Sequence, residues 1–527
     1  MSTVHDHMRV RELLRSHSSP PHDISSTIST LSQELEDYTE KITELKDELS
    51  RLESHHAALK EYHRDCCGLL APVRRLPPEV LIDIFSRCRR FTPEHSRSQV
   101  VDSIGILAQI RLQRMAHVCA RWYNVAMDTP SLWDTIFLHA SALSGTPQQT
   151  ETAMGLLRQA LQRSGSLLLN VRMEGFGTQH LMGLEMIASH SSRWKTARLS
   201  HSGSVGYLSG IKGRLPLLTA LELDRIRPER LDFLESIPSL KALTVHGSTQ
   251  SGMSKLPLEA LDTFEFVELL LDEVASAVVS MARLSHPCAV RLDVMVDEWN
   301  ASHSSLGLQI PQTSSNISSL VLEATTWSFR PQNCLQTFDQ ILASLTLPSL
   351  CDLSFTVSDK WVVLPWPHQQ FLALCDRSSF HTHLHSLQLS CVRITDAELI
   401  ECLPVVPMLQ RLIMSDPTMT NTLLSALTRT PNDSAACLVP HLRVIECESS
   451  LQFDDDVFLG FVASRCEPLP PNSMRFAIRI HTTSLRPLKR SVVARIEQMR
   501  ARSILMFELS IGQWFGSKLV PLPWPME

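Results

Sequence analysis

His381, His383 and His385 alternate along the chain. On a strand that spacing would put three imidazoles on one face, where they could hold a soft divalent metal. No carboxylate or thiol stands beside them to complete a ligand set, and the stretch opens a repeated phrase, so they read as the edge of a repeat. Asp454, Asp455 and Asp456 could draw calcium, but the EF-hand spacing is absent. They read instead as the solvated, acidic start of a helix. The stretch GFGTQH at 175–180 has histidine where a nucleotide-binding glycine loop needs its last glycine. HExxH, G-x-S-x-G and Walker patterns are missing. The basic run from Lys489 to Arg502 could touch an acidic partner and reads by default as a solvated helix face. These residues assign no catalytic group, metal ligand or cofactor, and an enzyme is not expected.

Composition points the same way. The chain has 527 residues and 43% hydrophobic content, enough for a large core. That length predicts about three domains unless a repeat array absorbs most of it. Its 18 glycines are few for this length and argue against phosphate-cradling loops. A net charge of −6 is no footprint for nucleic acid. The 13 cysteines are scattered, form no CxxC, and follow an N-terminus without an apolar leader, which predicts reduced thiols in the cytoplasm or nucleus. No window is long and apolar enough to predict a membrane span.

Residues 1–22, rich in Ser and His and ending in Pro20-Pro21, read as a flexible tail. A heptad helix comes next, over 23–62. Ile24, Leu31, Tyr38, Leu45, Leu52 and Leu59 take one seam position, and Ile28, Leu35, Ile42 and Leu49 the other, with His56 breaking the second series. A parallel homodimer would set Lys41 against Lys46 and Glu48 against Glu53, both like-charge pairs. An antiparallel or intramolecular partner fits better, so the seam either packs on its own chain or self-associates.

From about residue 165 a degenerate phrase recurs, Pro-x-Leu-x-x-Leu-x-Leu: LPLLTALELD at 215–224, IPSLKALTVHG at 237–247, LPLEALDTFEF at 256–266, ISSLVLEA at 317–324, LPSLCDLSFTV at 347–357, HLHSLQLS at 383–390, VPMLQRLIMSD at 406–416 and VPHLRVIECES at 439–449. SLLLNVRME at 166–174 and MRFAIRIHT at 474–482 read as outlying copies, and the wider gaps leave room for weaker ones. Each phrase predicts a short strand with alternate residues inward, succeeded by a helix such as 396–403 or 420–429. No single unit buries its own apolar face, so the units stack and the strands form one parallel sheet. A terminal amphipathic helix with Leu488, Val492, Ile496 and Met499 inside, and a strand-like ILMFELSIG, cap the array; 516–527 reads as a tail.

Between these regions lie two apolar clusters. The first is RRLPPEVLIDIF at 74–85. Pro77 and Pro78 force an extended approach and then a helix start, Glu79 faces the positive helix end, and Val80, Leu81, Ile84 and Phe85 recur at helical spacing. The second, 112–137, places Leu112, Met115, Val118, Cys119, Trp122 and Ala126 on one helical face, stopped by Pro130, with Leu132 and Trp133 in a further turn. Residues 86–111 separate the clusters and include a capping signature at Thr92-Pro93-Glu94.

LPPEVLIDIF, VCARWYNVA and TPSLWDTI together resemble an F-box, and in particular the F-box proteins of mushroom-forming fungi, in which a leucine-heptad helix precedes this segment and leucine-rich repeats come after it. The specific likeness covers about 24–137, with the 86–111 segment longer than the family pattern. The resemblance implies an α/β chain with an N-terminal heptad helix, a small all-α F-box-like module over 70–140 and an irregular leucine-rich-repeat solenoid over 150–515. It also implies a non-enzymatic adaptor: the F-box docks on the Skp-type adaptor of a cullin–RING ubiquitin ligase, and the concave repeat face holds an unidentified protein client. By position, Leu76 and Pro77 would contact the adaptor, with Glu79, Leu81, Ile84 and Phe85 in the first helix, Val118, Cys119 and Trp122 in the later one, and Leu132 and Trp133 closing the module. Core packing is the competing reading for each helix residue. Outward strand positions such as Glu222, Lys241, Thr244, Gln388 and Arg411 are candidates for the client face. The alternative function is a scaffold or oligomerisation protein that never enters a ligase.

Overall fold

The computed structural model describes residues 2–16, 22–90, 107–176, 181–201, 210–224, 233–234, 237–247, 256–296, 309–326, 332–358, 363–415, 419–429, 437–448, 451–466, 475–482, 488–502, 504–515 and 518–522. The chain divides into two compact units, Met1–Asp83 and Ile84–Glu527. The first is helical. Helix α1 (Ser2–Ser16) occupies part of the span read as a flexible tail, because Arg11, Glu12, Leu13 and Leu14 favour helix. Helix α2 (Ile24–Leu70) runs for 47 residues and contains no buried residue. It stops where Ala71 turns extended ahead of Pro72. A 3-10 turn at Pro72–Arg75 leads to α3 (Pro78–Arg90), within which the unit boundary falls.

The second unit opens with two short helices, α4 (Leu107–Ala116) and α5 (Ala120–Met127). The single helical face expected over 112–126 is therefore broken: Cys119 is fully extended (φ −164°, ψ 164°) and caps α5. The sheet then begins at β1 (Thr135–His139), earlier than the repeat phrase predicts. Helix α6 (Pro147–Arg163) comes next, started by a reciprocal cap between Thr146 and Gln149.

The succeeding strands are β2 (Leu169–Phe176), β3 (Trp194–His201), β4 (Ala220–Asp224), β5 (Ala242–His246), β6 (Thr263–Leu269), β7 (Ala289–Val296), β8 (Ser319–Thr326), β9 (Asp352–Val357), β10 (Ser386–Ser390), β11 (Arg411–Ser415), β12 (Val444–Glu448), β13 (Phe476–Thr482), β14 (Leu505–Phe515) and β15 (Lys518–Leu522). Among the described residues these make one 15-stranded sheet whose spatial order is the chain order. Every pair is parallel except β14 with β15. Sequential parallel order requires each connection to return the chain to the same end, and several helices do so, including α7 (Leu181–Ala188), α8 (Val274–Ser280), α9 (Gln332–Ser344), α10 (His368–Ser378), α11 (Asp396–Cys402), α12 (Asn421–Leu427), α13 (Asp455–Cys466) and α14 (Arg490–Ala501).

The apolar phrase becomes a column. Ile136, Val171, Ala197, Leu221, Leu243, Phe264, Val290, Leu320, Leu353, Leu387, Leu412, Ile445 and Ile478 are register partners on successive strands. None of them is more than 4% exposed. Alternation puts the intervening residues on the half-exposed face. Inside α14, Val492, Ile496 and Met499 are buried as expected.

Polar groups stitch repeat to repeat. Asn421 and Asp454 exchange two hydrogen bonds of 2.7 Å, and the Lys489 backbone N–H donates to the Asp455 carboxylate at 2.6 Å. Asp455 is thus buried and structural, correcting the expectation of a solvated acidic run. Arg465 is 2% exposed. It donates to the Leu427 carbonyl at 3.0 Å and the Val439 carbonyl at 2.7 Å, while burial pulls its pKa down to about 10. Arg193, Arg283 and Arg377 make the same kind of bond to carbonyls of the preceding repeat. Arg465→Met keeps the apolar stem but orphans those buried carbonyls, so it should lower stability by about 2–4 kcal/mol, read from urea unfolding monitored by circular dichroism.

Candidate functional site

Within the first unit, Leu76 ends the 3-10 turn with an extended backbone and is half-buried, whereas Pro77 is exposed. The Pro77 carbonyl accepts the Leu81 N–H at 3.2 Å, which fixes the start of α3. Glu79 lies exposed in the first turn, beside Val80, which is 42% exposed. Leu81 is fully buried. The Leu-Pro-Pro-Glu turn therefore leaves Pro77, Glu79 and Val80 accessible and takes Leu81 inward.

Within the second unit, Phe85 is fully buried and meets Trp122 edge to face at 5.1 Å. Ile84, Cys119 and Trp122 are half-buried. Leu132 and Trp133 are buried, and the Trp133 indole N–H donates to the Ala126 carbonyl at 2.8 Å. The Arg163 guanidinium of α6 covers the Trp133 ring at 4.7 Å. Val118, in the turn between α4 and α5, is 63% exposed. Thus Phe85, Leu132 and Trp133 are core rather than contact surface, while Val118 keeps an apolar side chain in water.

Residues 73–139 match the F-box-like family model. The chain therefore carries an F-box-like domain, and its matched span runs from the 3-10 turn through α3, α4, α5 and β1. No curated protein matches the chain. Among solved structures, a chain from the crystal structure of the Rad7 and Elc1 complex in yeast is similar, at 13% identity and a TM-score of 0.27, over 67% of this chain and 95% of that one. The F-box-like domain ends in β1, the first strand of the large sheet, so it shares a hydrogen-bonded ladder with β2. Residues 91–106, which include the Thr92-Pro93-Glu94 signature, lie outside the described residues.

The half-exposed sheet face gathers the other candidates. Arg172, Arg198, Glu222, Thr244, Glu265 and Arg291 are register partners on β2 to β7, and Ser354, Gln388, Ile413, Glu446 and Arg479 continue the row. Glu222, Thr244 and Gln388 thus share one row; Arg411 starts its strand, and Lys241 precedes β5, 3.8 Å from Asp262. The charges compensate in three groups, one of them the pair of Arg291 with Glu323. Glu222 receives Arg198 at 3.0 Å and His246 at 2.7 Å, and Glu446 receives Arg479 at 3.3 Å. Burial alone would raise the Glu222 carboxyl, but the His246 hydrogen bond and the nearby arginines hold it below the usual carboxylate range. Because that folded value is depressed, the cluster stabilises at neutral pH and loses this contribution as the pH falls through it. Sequence reasoning found individual members of the row but not their pairing, which depends on register across repeats.

The histidine triplet does not form a strand face. Residues 381–385 lie in the turn ahead of β10, since regular pairing begins only at Ser386. Among the described residues no group of three or more His, Cys, Asp or Glu could hold a metal. Cys402, His368 and Glu401 stand in sequence, with 3.6 Å from sulfur to Nδ1 and 3.0 Å from Nε2 to the carboxylate. That order would suit an activated thiol. However, Cys402 is fully buried and its thiol is pushed up to about 12, opposite to what a nucleophile needs.

The split between core and surface is testable. Trp133→Ala should cost about 3–5 kcal/mol through lost packing and an orphaned carbonyl, whereas Val118→Ser should stay within about 0.5 kcal/mol. Thermal and urea unfolding of the full chain check both values.

Proposed function

We propose that the chain is the substrate-recognition subunit of a cullin–RING ubiquitin ligase of the SCF type. The F-box-like domain docks on a Skp-type adaptor, and the sheet, read as a leucine-rich-repeat solenoid, holds a protein client. The observation that carries this reading is the F-box-like match over 73–139, a span in which Pro77 and Val118 keep apolar side chains at the surface. Such residues are typical anchors for a partner once water is excluded. Leu76, half-exposed beside Pro77, belongs to the same docking segment.

The chain itself then performs no bond chemistry. Its contribution is proximity: binding one protein to the ligase and another to the sheet raises the effective concentration of a client lysine near activated ubiquitin. The paired charges on the half-exposed face favour a client of mixed charge over a uniformly acidic or basic one, since both signs stand side by side in the Glu222 and Glu446 groups. Such a subunit would work in the cytoplasm or nucleus.

Co-purification with a Skp-type adaptor tests the docking step. Leu76→Ala with Pro77→Ala, and separately Val118→Glu, should each weaken capture at least tenfold while the unfolding midpoint stays unchanged. Undiminished capture by both variants would overturn the assignment of the docking residues, and a wild-type chain that captures no adaptor would overturn the ligase reading.

A further inference from the structure

The seam of α2 is a second apolar surface that the docking reading leaves unused. Ile28, Leu31, Leu35, Tyr38, Ile42, Leu45, Leu49, Leu52 and Leu59 stand at 3-4 spacing along the helix, each at least 47% exposed. A continuous stripe of this kind, on a helix with no buried residue, is far larger than the scattered apolar exposure of ordinary surfaces. Heptad spacing sets its preferred partner as another helix of the same period.

Flanking charges choose the partner and its direction. In a parallel pair of copies, Lys41 meets Lys46 and Glu48 meets Glu53, so the ends repel. In an antiparallel pair centred between Ile42 and Leu45, Ile42 lies opposite Leu45 of the second copy, Tyr38 opposite Leu49, Leu35 opposite Leu52 and Ile28 opposite Leu59, while His56 and His63 fall opposite Leu31 and Ile24 toward the ends. Lys41 then faces Glu48 of the second copy, and two-fold symmetry repeats the pair. Glu34 faces His55, while Lys46 and Glu53 face Thr39 and Ser32. No like charges meet. Sliding by one heptad brings Lys41 onto Lys41 in one direction and Glu48 onto Glu48 in the other. Sliding by two recovers the charge match only by leaving Leu52 and Leu59 unpaired, or by setting His56, His63 and Cys66 against Leu45, Tyr38 and Leu35 in the middle of the seam.

We propose that α2 pairs with α2 of a second copy of this chain in an antiparallel two-stranded coiled coil. Glu48 already holds Arg51 of its own helix at 2.7 Å, but both groups are largely exposed, so the carboxylate stays within reach of a further cation. The assembly carries two F-box-like domains and two sheets, which raises avidity for any partner able to engage both. The pairing concerns α2 alone and stands or falls separately from adaptor docking.

Sedimentation equilibrium of the full chain should give twice the 59.2 kDa chain mass. Ile42→Glu with Leu45→Glu should yield a monomer. Lys41→Glu alone and Glu48→Lys alone should each weaken self-association roughly tenfold, and the two together should restore it. A parallel pair predicts the reverse sign, because either single change would turn a repulsion into an attraction. A wild-type chain that stays monomeric, or single variants that associate more tightly, would overturn the proposal. Far-UV circular dichroism confirms that each variant keeps its helix, and capture of a Skp-type adaptor by the Lys41→Glu variant keeps the two readings apart.

Discussion

A parallel strand satisfies its backbone only between two neighbours, and it cannot reach the next neighbour through a tight turn. From Ile136 to Ile478 that constraint fixes the second unit. Each strand supplies one member of a buried column and one of a half-exposed row, and each connection must return the chain to the same end. Removing a repeat leaves two unpaired edges and a gap in the column, so stability is carried by contacts between neighbours rather than within repeats. The arginines that bridge repeats fit this logic. Arg193, Arg283, Arg377 and Arg465 use long stems to reach carbonyls of the preceding repeat.

The same register governs the outer row. Parallel in-register pairing places residues of successive repeats side by side, about 5 Å apart. Like charges at neighbouring positions of this kind would repel one another. Here Glu222 sits between Arg198 on β3 and His246 on β5, and Glu446 takes both Arg479 and His481 from the neighbouring strand β13, so opposite charges on adjacent strands brace one another. The central part of the row, Val321, Ser354, Gln388 and Ile413, carries no charge and leaves a neutral stretch between Arg291 and Glu446.

How much of this was legible in the sequence depended on whether the signal was local. Pro-x-Leu-x-x-Leu-x-Leu marks β4 and β5 because the proline bends the chain, the first leucines enter the core and the last pair alternates. Strands β3 and β7 lack that lead-in, and β1 sits inside the F-box-like span, so their alternation was hidden although Leu292 and Val294 are as buried as any repeat leucine. The break between α4 and α5 was hidden too, since Val118 and Cys119 fit the helical period and only their backbone departs from it. Leu81 and Phe85 looked equally suited to core or contact, and burial separates them from Pro77 and Val118. Asp455 read as solvated and the role of Arg465 was hidden, because their partners lie on other repeats.

The shared strand changes what the F-box-like domain is. Because β1 closes the domain and also opens the sheet, its backbone pairs with β2 from Thr135 to His139, and Arg163 of α6 covers Trp133. Folding of the domain and of the first sheet repeat is therefore coupled, as expected for nearest neighbours in a stacked array. Deleting 73–139 would remove the F-box-like span and an edge strand at once, exposing the β2 backbone and the inward side of Val171. Loss of partner binding after such a deletion would not distinguish a missing contact from a frayed sheet. Substitutions at Pro77 or Val118 avoid that confusion, because both side chains already stand in water and their replacement leaves β1 and the Trp133 packing in place.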